Sequence, residues 1–500
     1  MDEPAATVAF VAVLGGTSLL AFSARWLHRS DALPDLEGWA LAHRRFGTVV
    51  TWFLLGGSIF TAYTFAAVPG LAFGTGALGF FPLTYTVILC PILFLLLPRL
   101  WSAARRTGSV TVADYVRVRY DSPALMLVVA LTGVLATMPY IALQLLGVRA
   151  VLTAGGLYPE GVAGDLALTA VFAVLAGATF RSGLRAPAVI SLAKGVLVFG
   201  AAFGVVAVVL GRLGGPGAVF AAAEQQMADT PASDALLLDP SLHTAFATLA
   251  LGSALALPMY PHVLTAAFAA DGPGALRRSS IAMPAWTFVL GLFGLLGIGA
   301  LAAGIAAPPG NAEAAVPLLV ADLLPAAAGG AVFGALAVGA LVPAAVMSVA
   351  VAALFTRNVY AEFFFPGATP KHEVRVARWV SLLAKVAALA FVFGLRDQGA
   401  INLQLLGGIW ILQTFPAVAL GLFTSWWHRG GLLAGWAAGM VVGTVLAVAG
   451  GFTTVVAVGP VLLYVAVVAL AVNLTVATVA TPVLDRWGVT RGRCPWPVVR

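Results

Sequence analysis

Lys194 lies in the apolar stretch SLAKGVLVF, 191–199, which runs on to Leu213 with Arg212 as its only other charge. In a helix Ser191 shares its face one turn earlier. A lysine held out of water either stretches its stem to the surface or faces a polar cavity where its charge has a task. Neutral donors and acceptors stand in other apolar runs. Ser58, Thr61, Tyr63 and Thr64 follow Gly56 and Gly57 in TWFLLGGSIFTAYTFAAVPG, and His262 follows Pro258 and Pro261 in LALGSALALPMYPHVLTAAF. Tyr140 and Gln144 sit four residues apart in a third run, and Trp410 and Gln413 three apart in a fourth, so each pair shares a helix face. These residue types can hold an anion and a cation away from water. Breaking a bond would need a nucleophile with its base or a cluster of metal ligands. Every acid falls in a loop or tail, and no metal-ligand spacing occurs, so an enzyme is not expected.

The elements that position these residues are membrane helices. Of the 500 residues 61% are hydrophobic and 9% charged, and apolar runs of about 20 residues recur along the whole chain, the length that crosses a bilayer. About thirteen such spans can be drawn, which makes this an all-α polytopic membrane protein. The net charge of +7 does not point to nucleic acid, because its basic residues gather in alternate connections. With those connections cytoplasmic, 22 of the 27 Lys and Arg lie inside, while Arg149, Arg212 and Arg396 lie outside and Lys194 and Lys385 lie within spans. The positive-inside rule then puts the N-terminus outside, the C-terminus in the cytoplasm and the protein in the plasma membrane of the cell. The acidic opening MDEP argues against a cleaved signal peptide. Cys90 and Cys494 form no plausible disulfide pair.

Two spans carry helix-breaking residues about two hundred positions apart, at Gly56-Gly57 and at Pro258-Pro261. Each opens a group of five spans of similar length, the arrangement expected of an inverted-repeat transporter. Residues 1–46 are then a first span and cytoplasmic loop, 47–211 the first core repeat, 212–242 a solvated outer loop, 243–424 the second repeat, and 425–500 two peripheral spans, the last over 455–481, with a cytoplasmic tail. At the first break, unpaired N–H groups near Ser58 to Thr61 suit a carboxylate, and carbonyls near Gly57 and Phe60 suit a cation.

The stretch LEGWALAHRRFGTVVTWFLLGGSIFTAYTFAAVPG, then ATMPYIALQLLG at 136–147, SGLRAP at 182–187, MYPH at 259–262, PAAVMS at 343–348, LFTRNVY at 354–360 and LLGGIWILQTFPAVALGL at 405–422, resembles the sodium:solute symporter family. Within it the likeness is greatest to the bacterial monocarboxylate uptake permeases. The resemblance implies a leucine-transporter-like core of five plus five inverted spans with two broken helices. It also implies cation-coupled uptake of short monocarboxylates such as lactate, pyruvate, propionate or acetate. Another small solute such as an amino acid, or a transporter-like sensor, is the alternative. Carried over residue by residue, the sodium ligands would be the carbonyls of Gly57, Phe60 and Ala345 and the hydroxyl of Ser348. The family's second hydroxyl falls on Val349, which offers no oxygen. Its aspartate in the first break falls on Ser58 to Phe60, and a fifth-span aspartate on Ser191. The site is thus depleted for sodium, and the coupling ion is H+ or Na+.

Lys194 is then a candidate coupling residue, about 13 Å along its helix from Arg185, and Lys385, about 10 Å from Arg378, is expected to snorkel to the inner surface. Ser58, Thr61, Tyr63, Tyr140, Gln144, His262, Trp410 and Gln413 are candidate solute ligands. The two helix-face pairs serve equally as interhelical bonds, His262 as a cap for freed carbonyls, and Ser348 as a donor to its own helix. No cofactor is expected, and the partners are the solute and the bilayer; oligomeric state leaves no mark in the sequence.

Overall fold

The computed structural model describes residues 4–27, 35–158, 161–228, 236–308, 310–394 and 400–492. Arg396 lies outside them. Almost everything described is helical. The first part comprises α1 (Pro4–Leu27), α2 (Leu36–Leu41), α3 (Thr48–Ile59), α4 (Val68–Thr75), α5 (Phe81–Thr107), α6 (Val112–Tyr120), α7 (Pro123–Ala154), α8 (Val162–Ser182) and α9 (Arg185–Arg212). After α10 (Pro216–Ala228) come α11 (His243–Ala256), α12 (Pro261–Phe268), α13 (Pro273–Ala282), α14 (Pro284–Ala302), α15 (Ala315–Leu323), α16 (Ala326–Phe355) and α17 (Pro370–Gly394). The chain then forms α18 (Ala400–Ile411), the short α19 (Gly421–Phe423), α20 (Arg429–Ala449), strands β1 (Val455–Val458) and β2 (Val461–Tyr464), and α21 (Val465–Arg486).

Among the described residues nine helices are long and apolar enough to cross a membrane, or ten if the bent pair 401–414 and 416–423 is one span. The count of thirteen is not reached on that measure, partly because the first break leaves Thr48–Ile59, apolar but only 12 residues long, outside it. The last expected span, 455–481, is corrected as well. Its first ten residues form an antiparallel hairpin pairing Val455 with Tyr464 and Val458 with Val461, and the helix begins only at Val465. Gly459-Pro460 makes the turn, and the β-branched valines beside it favour extended backbone. The segment 212–242 is not wholly a solvated loop either. Its helix α10 turns Val219 and Ala223 inward against Ile298.

Both expected breaks are present, for different reasons. In the first, α3 ends at Ile59, Phe60 turns to φ −92°, ψ 91°, and a wide π turn over Tyr63–Ala67 leads into α4. Thr64 N–H donates to Thr61 O, one residue short of the helical reach, so Phe60 O loses its usual donor. In the second, Pro261 has no N–H and pushes the preceding residue out of the helical region, and Tyr260 lies at ψ 135°. Around the breaks pack α7, α9 and α16, the last buried along nearly its whole length. Close approach of α7 to the first break depends on Gly147, where an added Cβ would stand 2.5 Å from the Ala62 Cβ.

Candidate functional site

Lys194 meets the first break directly. Its Nζ donates to Gly57 O at 2.6 Å and Phe60 O at 2.8 Å, and the residue is 0% exposed. These are two of the carbonyls that the family resemblance assigns to sodium. The other two positions on α16 serve each other: Ser348 Oγ donates to Ala345 O at 2.8 Å, and Val349 beside them carries only carbon. A free sodium ion here would have to displace the lysine amine from both carbonyls. Ser191, one turn before Lys194, donates to Ala188 O in its own helix. Lys385 is not at the surface, which corrects the expectation of snorkelling. It is 2% exposed, with Nζ 2.9 Å from Ser381 Oγ, and Ser381 Oγ in turn donates to Ser348 Oγ at 3.3 Å.

The start of the second half-helix is less open than unpaired N–H groups would be. Gln144 reaches across from α7, its Oε1 accepting Ala62 N–H at 2.9 Å, while Thr61 Oγ1 accepts Tyr63 N–H at 3.2 Å. Ser58 Oγ donates back to Leu54 O at 2.6 Å. An anion at this end would be met by side chains more than by the half-helix terminus.

Beside these residues lies a buried cluster of rings with polar groups in no hydrogen bond. Tyr140 packs edge to face on Tyr260 and His262, with ring centroids 5.2 and 5.3 Å away. Neither ring nitrogen of His262 has a partner among the described residues, so it caps no carbonyl. The hydroxyls of Tyr63 and Tyr140 and Oγ1 of Thr64 are likewise buried without a hydrogen bond, and so is the indole N–H of Trp286, which stacks on Phe60 at 5.7 Å. Trp286 was not singled out by sequence reasoning. It is an ordinary aromatic in an apolar run, and only the packing of α14 on the first break gives it a place. Leaving a buried donor unmade costs about 1–3 kcal/mol, so the unpaired groups of Tyr140 and His262, whose rings touch, suggest a guest that completes them.

Trp410 and Gln413 have their polar ends elsewhere. The Trp410 indole N–H donates to Thr444 Oγ1 on α20 at 3.1 Å, and Gln413 Oε1 accepts from Asn473 Nδ2 on α21 at 3.1 Å. In an apolar surround each finds its partner on a neighbouring helix, so both act as interhelical bonds.

Comparison with known proteins agrees with this architecture. The model of the sodium:solute symporter family matches residues 39–443. A monocarboxylate transport permease protein of Rhizobium johnstonii is 43% identical over 466 residues, covering 92% of this chain and 93% of that one. An uncharacterized symporter, YodF, of Bacillus subtilis is 32% identical over 416 residues, 82% of this chain and 81% of its own. Among solved structures, a Na+-coupled sialic acid symporter in a substrate-bound outward-open state aligns with TM-score 0.76 at 13% identity, over 96% of this chain and 98% of that one, which shows a shared fold. The family model spans most of the chain and the Rhizobium relative nearly all of it; the chain is a multi-pass membrane protein belonging to the sodium:solute symporter family.

Proposed function

We propose that this symporter takes up a short monocarboxylate, of about two to four carbons, together with a proton carried on Lys194. The observation that carries the reading is the position of the Lys194 amine on Gly57 O and Phe60 O, where a free coupling cation would otherwise find its ligands. A tethered amine can take a proton on one side of the membrane and release it on the other, which a fixed guanidinium cannot. One proton moving with one carboxylate carries no net charge, so the cycle is electroneutral. The carboxylate is received by Tyr63, Tyr140 and His262, whose buried polar atoms lack partners, with Thr61 and Gln144 shaping the break beside them. The likeness to the monocarboxylate transport permease protein of Rhizobium supports the solute class. The two breaks open the inverted halves 47–211 and 243–424 in a chain of about thirteen spans. The basic residues support an outside N-terminus and a cytoplasmic C-terminus in the plasma membrane.

The test is uptake of labelled lactate, pyruvate, propionate and acetate into proteoliposomes, with proton and sodium gradients imposed separately. An acid exterior is expected to drive accumulation, with no response to sodium or to an imposed potential. Amides of the same acids, and amino acids, should compete poorly. Accumulation that requires sodium would return the coupling role to a weakened sodium site, and equal competition by amides would sink the carboxylate pocket.

A further inference from the structure

Helices α8 and α17 do not close on one another along their length. Between them lies a cavity of about 500 Å3 walled by Phe172, Ala173, Phe180, Leu382, Val386 and Leu389. It opens toward lipid, since Ala173 is exposed and Val386 is 53% exposed. From Arg181 at the end of α8 the cavity runs to Thr169, twelve residues or about 18 Å, which is close to the depth of one leaflet of the bilayer core. Lys385 stands in its wall with the amine held on Ser381.

Among the described residues the mouth of this groove is cationic without an ion pair. Arg181 and Arg378 are electrostatic neighbours. Nε of Arg378 is buried with no hydrogen-bond partner, and neither guanidinium forms an ion pair among the described residues. The acids carried by the two helices are engaged elsewhere. Glu373 on α17 holds Arg357 at 3.2 Å, and Asp165, at the far end of α8, accepts from the Tyr158 hydroxyl at 2.6 Å. Trp379, 60% exposed and edge to face with Phe180 at 5.5 Å, marks the level of the headgroups, where tryptophan anchors membrane helices. Guanidiniums whose charges bear on one another repel, and an anion taken by both offsets that repulsion. A phosphate diester accepts from both planes at once, and basic pockets between helices at a membrane's inner face take such headgroups.

We propose that this groove binds one anionic phospholipid, its phosphate bridging Arg181 and Arg378 and one acyl chain lying along α8 and α17. The assignment to the inner leaflet rests on the orientation given above; the binding itself does not depend on it or on the transported solute. Full-length protein in detergent micelles containing phosphatidylcholine is titrated with phosphatidylglycerol, and bound lipid is counted by native mass spectrometry after delipidating washes. Wild type should keep one phosphatidylglycerol in preference to phosphatidylcholine, and inorganic phosphate at the same concentration should not displace it. Arg181→Gln with Arg378→Gln should lower retention at least about tenfold. Ala173→Trp, which fills the exposed groove without changing charge, should lower it as far. Retention unchanged in the double variant, equal retention of phosphatidylcholine, or displacement by inorganic phosphate would each overturn the proposal. So would loss in the double variant alone with full retention in Ala173→Trp, because the acyl chain would then lie elsewhere.

Discussion

The molecule buries two lysines, and they differ in what receives the ammonium. Lys194 meets carbonyls of another helix, Gly57 O and Phe60 O, at 2.6 and 2.8 Å. Lys385 stays within its own helix, 2.9 Å from Ser381 Oγ and 3.3 Å from Ser381 O. The Phe60 carbonyl is freed by the break, because Thr64 N–H turns to Thr61 O. The Ser381 carbonyl lies inside an unbroken helix, where the backbone N–H four residues on already claims it. A broken span thus offers acceptors with nothing else to bind, and an intact one offers only shared acceptors. On the proposed reading, vacated carbonyls and not burial alone set a coupling lysine apart.

Replacement of Lys194 should break that distinction most visibly. Lys194→Met is expected to lower proton-driven accumulation at least about tenfold, the effect of some 1.4 kcal/mol, with membrane insertion intact by protease protection. Lys194→Arg should not restore it, since the guanidinium keeps its proton and its planar fork differs from the compact ammonium. Sodium-driven uptake that is indifferent to Lys194→Met would remove the tethered amine from the coupling mechanism altogether.

Lys385→Met sharpens the comparison from the other side. Ser381 can then donate to its own helix, as membrane serines commonly do, and no vacated carbonyl is left bare. Proton-driven uptake, measured in the same vesicles, is expected to change by less than about threefold, under 1 kcal/mol. A loss as large as that of Lys194→Met would show that the link from Lys385 through Ser381 to Ser348 belongs to the coupling site.

Much of this difference was legible in the sequence. Glycine pairs and closely spaced prolines locate breaks because their effect is local: glycine weakens the helix, and proline removes a donor. A lysine far from any other charge is likewise visible in one dimension. The environment of Lys385 was not legible, because snorkelling and burial depend on which helix covers the stem, and α8 and α16 come from distant parts of the chain. Trp286 was missed for the same reason. The hairpin before α21 did have a signal, a Gly-Pro turn between valine runs, which the hydropathy of the whole segment hid. Spacing put Trp410 and Gln413 on one helix face but could not say whether that face looked toward the solute or toward α20 and α21.

The smallest effect is expected at that last pair, well apart in role from either lysine. Gln413 is 2% exposed, and its side chain gives Nε2–H to Ile409 O and accepts from Asn473 Nδ2. Asn473 Nδ2 also donates to the backbone oxygen of residue 413 at 2.9 Å, a bond that survives any side-chain change. Gln413→Leu therefore removes one interhelical side-chain bond and leaves the other. Such bonds between membrane helices average about 0.6 kcal/mol, so in a chain of 500 residues the thermal midpoint in detergent should fall by only about 1 °C. If Gln413 holds helices and not cargo, KM for the carboxylate should stay within about twofold, less than 0.5 kcal/mol of binding. A KM raised several-fold with an unmoved midpoint would turn Gln413 back toward the solute, and would make the peripheral helices α20 and α21 part of the pocket wall.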